Sequence, residues 1–246
     1  MKPIFSRIGN KYLISDKIVE LMPEHNKYIE VFCGGASVLF KKPKIEHEVI
    51  NDIDTDLIDD YKLLMKVGKY KKTQELNKID LLTKFISTEH KNIQDQFTAR
   101  LIRRCNGFSG NRIKDNKTKV YQPSDPNKKL SILSEYQDRL KNVVFMNENY
   151  KKVLIEHDSK DALFYLDPPY ENSSNLYSDS IVEYKILSDD VRKLKGKFIL
   201  SMADSATIRY LFKDFNFKVI QKKKALTRKC LGYKARTEIL IYNFDE

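Results

Sequence analysis

Asp167-Pro168-Pro169-Tyr170 puts a carboxylate, two prolines and an aromatic ring in consecutive positions, directly after the apolar run Ala162–Leu166. The run reads as a buried strand with a proline stop. In a parallel sheet such a stop lies at the edge where ligands bind. Pro168 has no N–H to donate and holds its backbone fixed, so the loop is a cluster of acceptors beside the face of Tyr170. A planar nitrogen heterocycle with an exocyclic amine suits it, because amine protons need acceptors and the ring needs a surface to stack on. Methylation of a base amino group is the chemistry indicated. A strand ending in an ordinary proline turn is the plain alternative.

Two more segments carry ligand chemistry. Glu30-Val31-Phe32-Cys33-Gly34-Gly35-Ala36-Ser37 ends one strand and opens a helix, with glycines that let the backbone approach a ligand closely. The GxGxxG spacing of a pyrophosphate-binding turn is absent. Asn51-Asp52-Ile53-Asp54 then ends the next strand with carboxylates, at the position that takes ribose hydroxyls in doubly wound folds. An adenosine-containing ligand without pyrophosphate fits this pair of turns. Tight helix–strand packing for the glycines and a helix cap for Asp52 are the competing readings. Near the N-terminus, Ser6-Arg7-Ile8-Gly9-Asn10-Lys11 sets a glycine beside a lysine, which suits an anionic group or leaves a solvated lysine.

The elements that position these segments alternate in the βα manner. Strands are expected at Tyr28–Phe32 and Glu48–Asp52, and helices over Ala36–Lys41 and Thr55–Lys69, the second capped by Asp54 or Thr55. From residue 70 to 140 the chain becomes rich in lysine, glutamine and asparagine with no buried-strand run, as in an inserted lobe. Alternation resumes with strands at Val143–Met146, Ala162–Leu166, Lys197–Met202, Phe217–Gln221 and Glu238–Phe244. Helices are expected near Tyr150–Glu156, Ser188–Leu194 and Ser205–Phe212. The fold class is α/β, a doubly wound and mostly parallel sheet. Residues 1–69 and 141–246 form its catalytic domain, and 70–140 a helical and hairpin recognition lobe.

Bulk properties favour a polyanionic partner. The 246 residues hold 45 Lys and Arg against 34 acidic residues, a net charge of +11, although a lysine-biased composition alone gives the same sum. Cys33, Cys105 and Cys230 stand far apart with no CxxC pair, as in a reduced intracellular compartment, and a zinc site is not expected. His25, His47, His90 and His157 are expected at surface or capping positions. No signal peptide or membrane-spanning run is read.

Within 70–140, Ile113–Gln122 reads as a basic hairpin turning at Asp115–Thr118. A two-stranded ribbon can enter the major groove, where Arg112, Lys114, Asn116, Lys117, Lys119 and Tyr121 would meet DNA. An exposed lysine-rich loop that touches only phosphates is the alternative.

In this order the segments resemble the Dam-type DNA adenine-N6 methyltransferases of bacteria and phages. The likeness spans Pro3 to Phe244 and rests on Gly9-Asn10-Lys11, the FxGxxS turn Phe32–Ser37, Asp52-Ile53, an intervening lobe and Asp167-Pro168-Pro169-Tyr170. It implies S-adenosylmethionine as donor, with Phe32, Gly34, Asp52 and Ile53 in its site and Asp52 on the ribose. Lys11 and Arg7 are implied near the methionine end or the adenine; members often carry an aromatic where this chain has Arg7. Tyr150 is implied against the adenine. Asp167, Pro168 and Tyr170 are the implied catalytic residues, acting on an adenine rotated out of double-stranded DNA. The stretch from Val191 to Asp204 resembles the family's next strand and Arg236-Thr237-Glu238-Ile239 its last, where an acidic residue often recurs; both are expected as scaffold. The family's hairpin commonly ends in Pro-Phe-Gly, whereas Pro123-Ser124-Asp125 stands here, so the target sequence is left open. A cognate restriction endonuclease is a conceivable protein partner.

An RNA or guanine-N2 methyltransferase is the nearest competing reading. Small rRNA enzymes place a similar loop soon after the cofactor turn, whereas this chain has room for a lobe between them. A catalytically silent nucleic-acid-binding homologue is the second alternative. A metal-dependent nuclease is disfavoured by the scattered carboxylates.

Overall fold

Every residue of Ala162–Leu166 is buried, as an apolar run must be when helices cover both faces of a sheet. The computed structural model describes residues 1–5, 7, 9–68, 92–106, 126–169, 184–220 and 237–245. Strands β1 (Lys27–Glu30), β2 (His47–Asn51), β3 (Val144–Met146), β4 (Ala162–Leu166), β5 (Lys197–Ala203), β6 (Asn216–Ile220) and β7 (Glu238–Tyr242) form a seven-stranded sheet in the order β3-β2-β1-β4-β5-β7-β6. β7 is inserted antiparallel between β5 and β6; the other pairings are parallel.

Strand order reverses between β1 and β4. From β1 the chain first moves outward to β2 and β3, then returns to lay β4 on its other side, with Glu30 paired to Tyr165. The loops leaving β1 and β4 therefore part in opposite directions and leave a crevice at the carboxyl ends of the strands.

The core follows the strand period of two. Leu163 and Tyr165 point into one apolar cluster with Tyr28, Ile50, Ile199 and Leu240. Ala162, Phe164 and Leu166 join the other with Ile29, Val49, Phe198 and Ile239. On the first face lie α1 (Ser15–Glu20), α2 (Thr55–Lys66), α3 (Ile93–Asn106), α4 (Pro126–Ser131) and α5 (Leu133–Leu140); on the second, α6 (Tyr150–His157), α7 (Tyr184–Val191) and α8 (Ala206–Leu211). Helix α2 shows how sequence makes such an element. Asp54 caps it by accepting from the Leu57 N–H at 3.0 Å, and Leu57, Ile58, Tyr61 and Leu64 recur at helical spacing on its buried side. Each such burial contributes about 1.5–3 kcal/mol.

The described helices of the 70–140 stretch pack on the same core as α2. Phe97, Leu101, Leu130, Leu133, Tyr136 and Leu140 belong to the first cluster. Asp60 of α2 is buried against Arg104 and accepts from Arg100 of α3 at 2.7 Å.

Three expectations about elements change. The helix expected over Ala36–Lys41 is a series of turns. Ala36 takes a left-handed φ of 50°, and the Leu39 N–H donates to the buried Glu30 carboxylate at 2.9 Å instead of a helical carbonyl. Helix α2 stops at Lys66, not Lys69, because Val67 turns extended at ψ 121°. Helix α7 starts at Tyr184, earlier than Ser188, because Tyr184, Leu187, Ser188 and Val191 form its buried face. The remaining expected strands and helices lie within about two residues of those observed, the usual scatter at element ends.

Candidate active site

Lys11 is the residue around which the site closes. Its Nζ lies 2.5 Å from Asp167 Oδ1 and 3.3 Å from Glu238 Oε1, and donates to the Gly9 carbonyl at 3.0 Å. The side chain is only 4% exposed, so a lone ammonium here would be costly. Burial lowers its pKa, but the charges of Asp167 and Glu238 outweigh burial and raise it overall. Lys11 is a cation, and the N-terminal segment is thereby pinned to the ends of β4 and β7.

The loop after β4 is held from below as well. Pro168 is buried, and the Pro169 carbonyl accepts from Tyr184 Oη at 2.8 Å. Tyr184 opens α7, so the loop spans from Lys11 on one side to a helix start on the other. Tyr170 lies outside the described residues, as do Arg112, Lys114, Asn116, Lys117, Lys119 and Tyr121.

The turn after β1 supplies the second wall. Gly34 has φ +47°, a conformation that costs a residue with a Cβ about 1–2 kcal/mol. Gly35 is needed for space: a Cβ there would stand 2.6 Å from the Phe5 carbonyl oxygen. The Gly34 N–H donates to Asp52 Oδ2 at 2.8 Å, and Asp52 Oδ1 accepts from the Asp54 N–H at 3.0 Å. Burial pushes the Asp52 carboxyl upward in pKa, while those backbone donors and Arg7 pull it down. A carboxylate has about four lone-pair positions, so these two bonds leave further acceptor capacity.

Arg7 spans the same two loops. Its Nη1 is 2.7 Å from Asp54 Oδ2, and its Cβ and Cγ lie 3.9 Å from where a Gly34 side chain would begin. Ile53, next to Asp52, is 49% exposed. Phe32 and Tyr150 form a tilted ring pair with centroids 5.6 Å apart, and Tyr150 Oη donates to Asp190 at 2.9 Å. The sequence-selected residues Arg7, Lys11, Phe32, Gly34, Asp52, Ile53, Tyr150 and Asp167 thus follow the carboxyl ends of β1, β2, β3 and β4 or pack on those ends.

Four contributors were not singled out from sequence. Buried Asn51 donates to the carbonyls of Val31 and Glu148 at 3.0 Å each and accepts from the Glu148 N–H at 2.9 Å, joining three strand ends. Tyr61 Oη donates to the Gly34 carbonyl at 3.2 Å from α2. Tyr184 supports Pro169, and Glu238, expected as scaffold, touches Lys11. A tyrosine or asparagine in an amphipathic pattern carries no sign of its distant partner; only the fold supplies it.

Asp52, Asp54, Asp167 and Glu238 face Arg7 and Lys11 at this end of the sheet. Among the described residues these four carboxylates meet two cations, in a chain of net charge +11. Among the described residues, no group of three or more His, Cys, Asp or Glu is placed to hold a metal ion, and no helix is long and apolar enough to cross a membrane.

Residues 8–226 match the family of D12 class N6 adenine-specific DNA methyltransferases. The chain belongs to this family. Three relatives match over most of their own length. The Type II methyltransferase M.MjaIII of Methanocaldococcus jannaschii is 26% identical, with 99% of each chain covered. The retron Ec67 DNA adenine methylase of Escherichia coli is 24% identical over 98% of this chain and 90% of its own. The Type II methyltransferase M1.LlaDCHI of Lactococcus lactis is 25% identical over 99% and 96%. The protein is an adenine-specific DNA methyltransferase with an α/β fold and a mostly parallel sheet. The RNA and guanine readings give way to this assignment.

Proposed function

We propose that this methyltransferase moves a methyl group from S-adenosylmethionine to N6 of an adenine rotated out of duplex DNA, with Asp167 as the catalytic acceptor. The observation that carries the reading is the position of Asp167 beside the strand-order reversal, joined through Lys11 to the segment that also bears Arg7.

The crevice fits the donor on its own chemistry. Asp52 accepts from ribose hydroxyls, Ile53 with Phe32 and Tyr150 offers apolar surface to the adenine, and Gly34 lets the backbone come close. Arg7 clamps the two loops that form this wall. Lys11 lies toward the donor's carboxylate end. When bound, S-adenosylmethionine supplies an electrophilic methyl: the N6 lone pair forms the N–C bond, the C–S bond breaks with its pair left on sulfur, and one N6 proton leaves.

The protein's own part is orientation. An adenine amino nitrogen is a poor nucleophile because its lone pair is delocalised into the ring. Asp167 and the Pro168 carbonyl accept its two hydrogens, which lets the nitrogen pyramidalise and aim its lone pair at the methyl carbon. A strong base is not required, since the nitrogen is acidic once alkylated. Tyr170 stacks on the extruded base. Target recognition is assigned to the 70–140 lobe, with Arg112, Lys114, Asn116, Lys117, Lys119 and Tyr121 on the DNA. Such work is done inside a cell.

The test is methyl transfer from labelled donor to mixed-sequence duplex DNA, with the product mapped by base. Asp167→Ala should abolish labelling while the thermal melt is kept. Calorimetry with S-adenosylmethionine separates the silent homologue: a wild-type protein with no measurable affinity contradicts the proposal.

A further inference from the structure

Glu238 has a role that its place in the sequence conceals. It is the first residue of β7, and β7 runs opposite to its neighbours, with Glu238 paired to Ala203 at the end of β5. A parallel strand in that slot would bring its last residues to the ligand edge; the inversion brings Glu238. Its side chain is 2% exposed, 3.3 Å from Lys11 Nζ, and accepts from Ser201 Oγ at 3.3 Å. Neutralising Lys11 does not call for it, because Asp167 already stands 2.5 Å from the ammonium. Burying a second carboxylate is costly, and its effect is to set two carboxylates, Asp167 and Glu238, on one ammonium.

We infer that Glu238 is a positioning residue for methyl transfer, acting through Lys11 on Asp167. By sharing the ammonium it leaves Asp167 a stronger acceptor for the amine hydrogens. It also adds negative charge where the alkylated nitrogen becomes cationic. Among the described residues, Tyr165 and Glu30 also face the cluster. Tyr165 of β4, held neutral by burial, interacts with Asp167 and Glu238. Glu30 of β1 interacts with Asp167 and is pushed by burial to about 8, so it is mostly protonated at neutral pH.

The inference rests on Asp167 being the acceptor, and the experiment separates the two. Glu238→Gln, isosteric and neutral, should keep the fold and the KM for DNA but lower kcat roughly tenfold or more. The acid limb of its pH–kcat profile should move to lower pH, because protons compete less well for a cluster that has lost one negative charge. Glu238→Asp, which keeps the charge, should keep the wild-type limb and recover most of the rate; it also serves as the test if the Gln variant does not fold. A folded Gln variant with unchanged kcat and limb, or an Asp variant with a displaced limb, overturns the inference. Asp167→Ala is run alongside: if it still methylates, the reading of Asp167 itself fails, whereas a dead Asp167→Ala beside an unaltered Glu238→Gln removes only the role of Glu238.

Discussion

The Gly34 N–H donates to Asp52 Oδ2 at 2.8 Å, across 18 residues of sequence. This bond ties the turn after β1 to the loop after β2, so the two walls of the crevice are joined. Asp52→Asn keeps the shape but loses charge-assisted acceptance. Stability should fall by about 1–2 kcal/mol, read by urea denaturation. Affinity for S-adenosylmethionine should fall about tenfold by calorimetry, since charged acceptors bind hydroxyls more strongly.

The neighbouring glycines should respond differently to the same change. Gly34→Ala forces a left-handed φ of +47° on a residue with a Cβ, at a cost of about 1–2 kcal/mol. Gly35→Ala drives a methyl to 2.6 Å from the Phe5 carbonyl oxygen. Backbone must then shift, and a loss of roughly 1–3 kcal/mol or more is expected. Because Phe5 leads into the Arg7–Lys11 segment, Gly35→Ala should also lower donor affinity. Equal donor affinity in Gly35→Ala and wild type would contradict the coupling.

Asp60 anchors α3 to α2. Its carboxylate is buried with Arg104 and also meets Arg100. Asp60→Ala leaves the Arg104 guanidinium buried with its main counter-charge gone, and breaking such a pair costs about 3–5 kcal/mol. Arg100→Ala, at the more exposed end of the same network, should cost about 1 kcal/mol or less. Denaturant midpoints for the two variants give the comparison.

Glu30 should make stability fall with rising pH. Burial raises its folded-state pKa from 4.5 to about 8, against the hydrogen bonds from Tyr28 and the Leu39 N–H that favour its charged form. Below about 4.5 the carboxyl is protonated both folded and unfolded. Between there and about 8 the unfolded chain has already released the proton that the folded chain retains, so the unfolded state binds fewer protons and stability declines, by up to ~5 kcal/mol. Above about 8 the difference is constant. Glu30→Gln mimics the protonated acid, and its stability relative to wild type should climb across this window and then level. Parallel pH curves for the two proteins would show that Glu30 does not titrate as described.

Sequence alone determined the class of fold and the order of its active segments. Ala162–Leu166 read as a strand covered on both faces, because five consecutive apolar residues bounded by a proline stop leave neither face for solvent. Asp54 announced the start of α2, since its side chain satisfies a local N–H three residues on. Gly34, Asp52 and Asp167 could be chosen because each ends a strand, and strand ends in a parallel sheet share one edge. What depends on contacts between distant residues was decided by the tertiary structure. Ala36–Lys41 has helical composition, yet a carboxylate from β1 captures the Leu39 N–H and the segment turns instead. Glu238 read as scaffold because nothing local marks a strand as inverted; only its antiparallel insertion between β5 and β6 carries that carboxylate to Lys11, 227 residues away in the chain (238 − 11). Local signals reflect near-neighbour hydrogen bonding and burial, whereas a shared ammonium requires three strands' worth of packing before it exists.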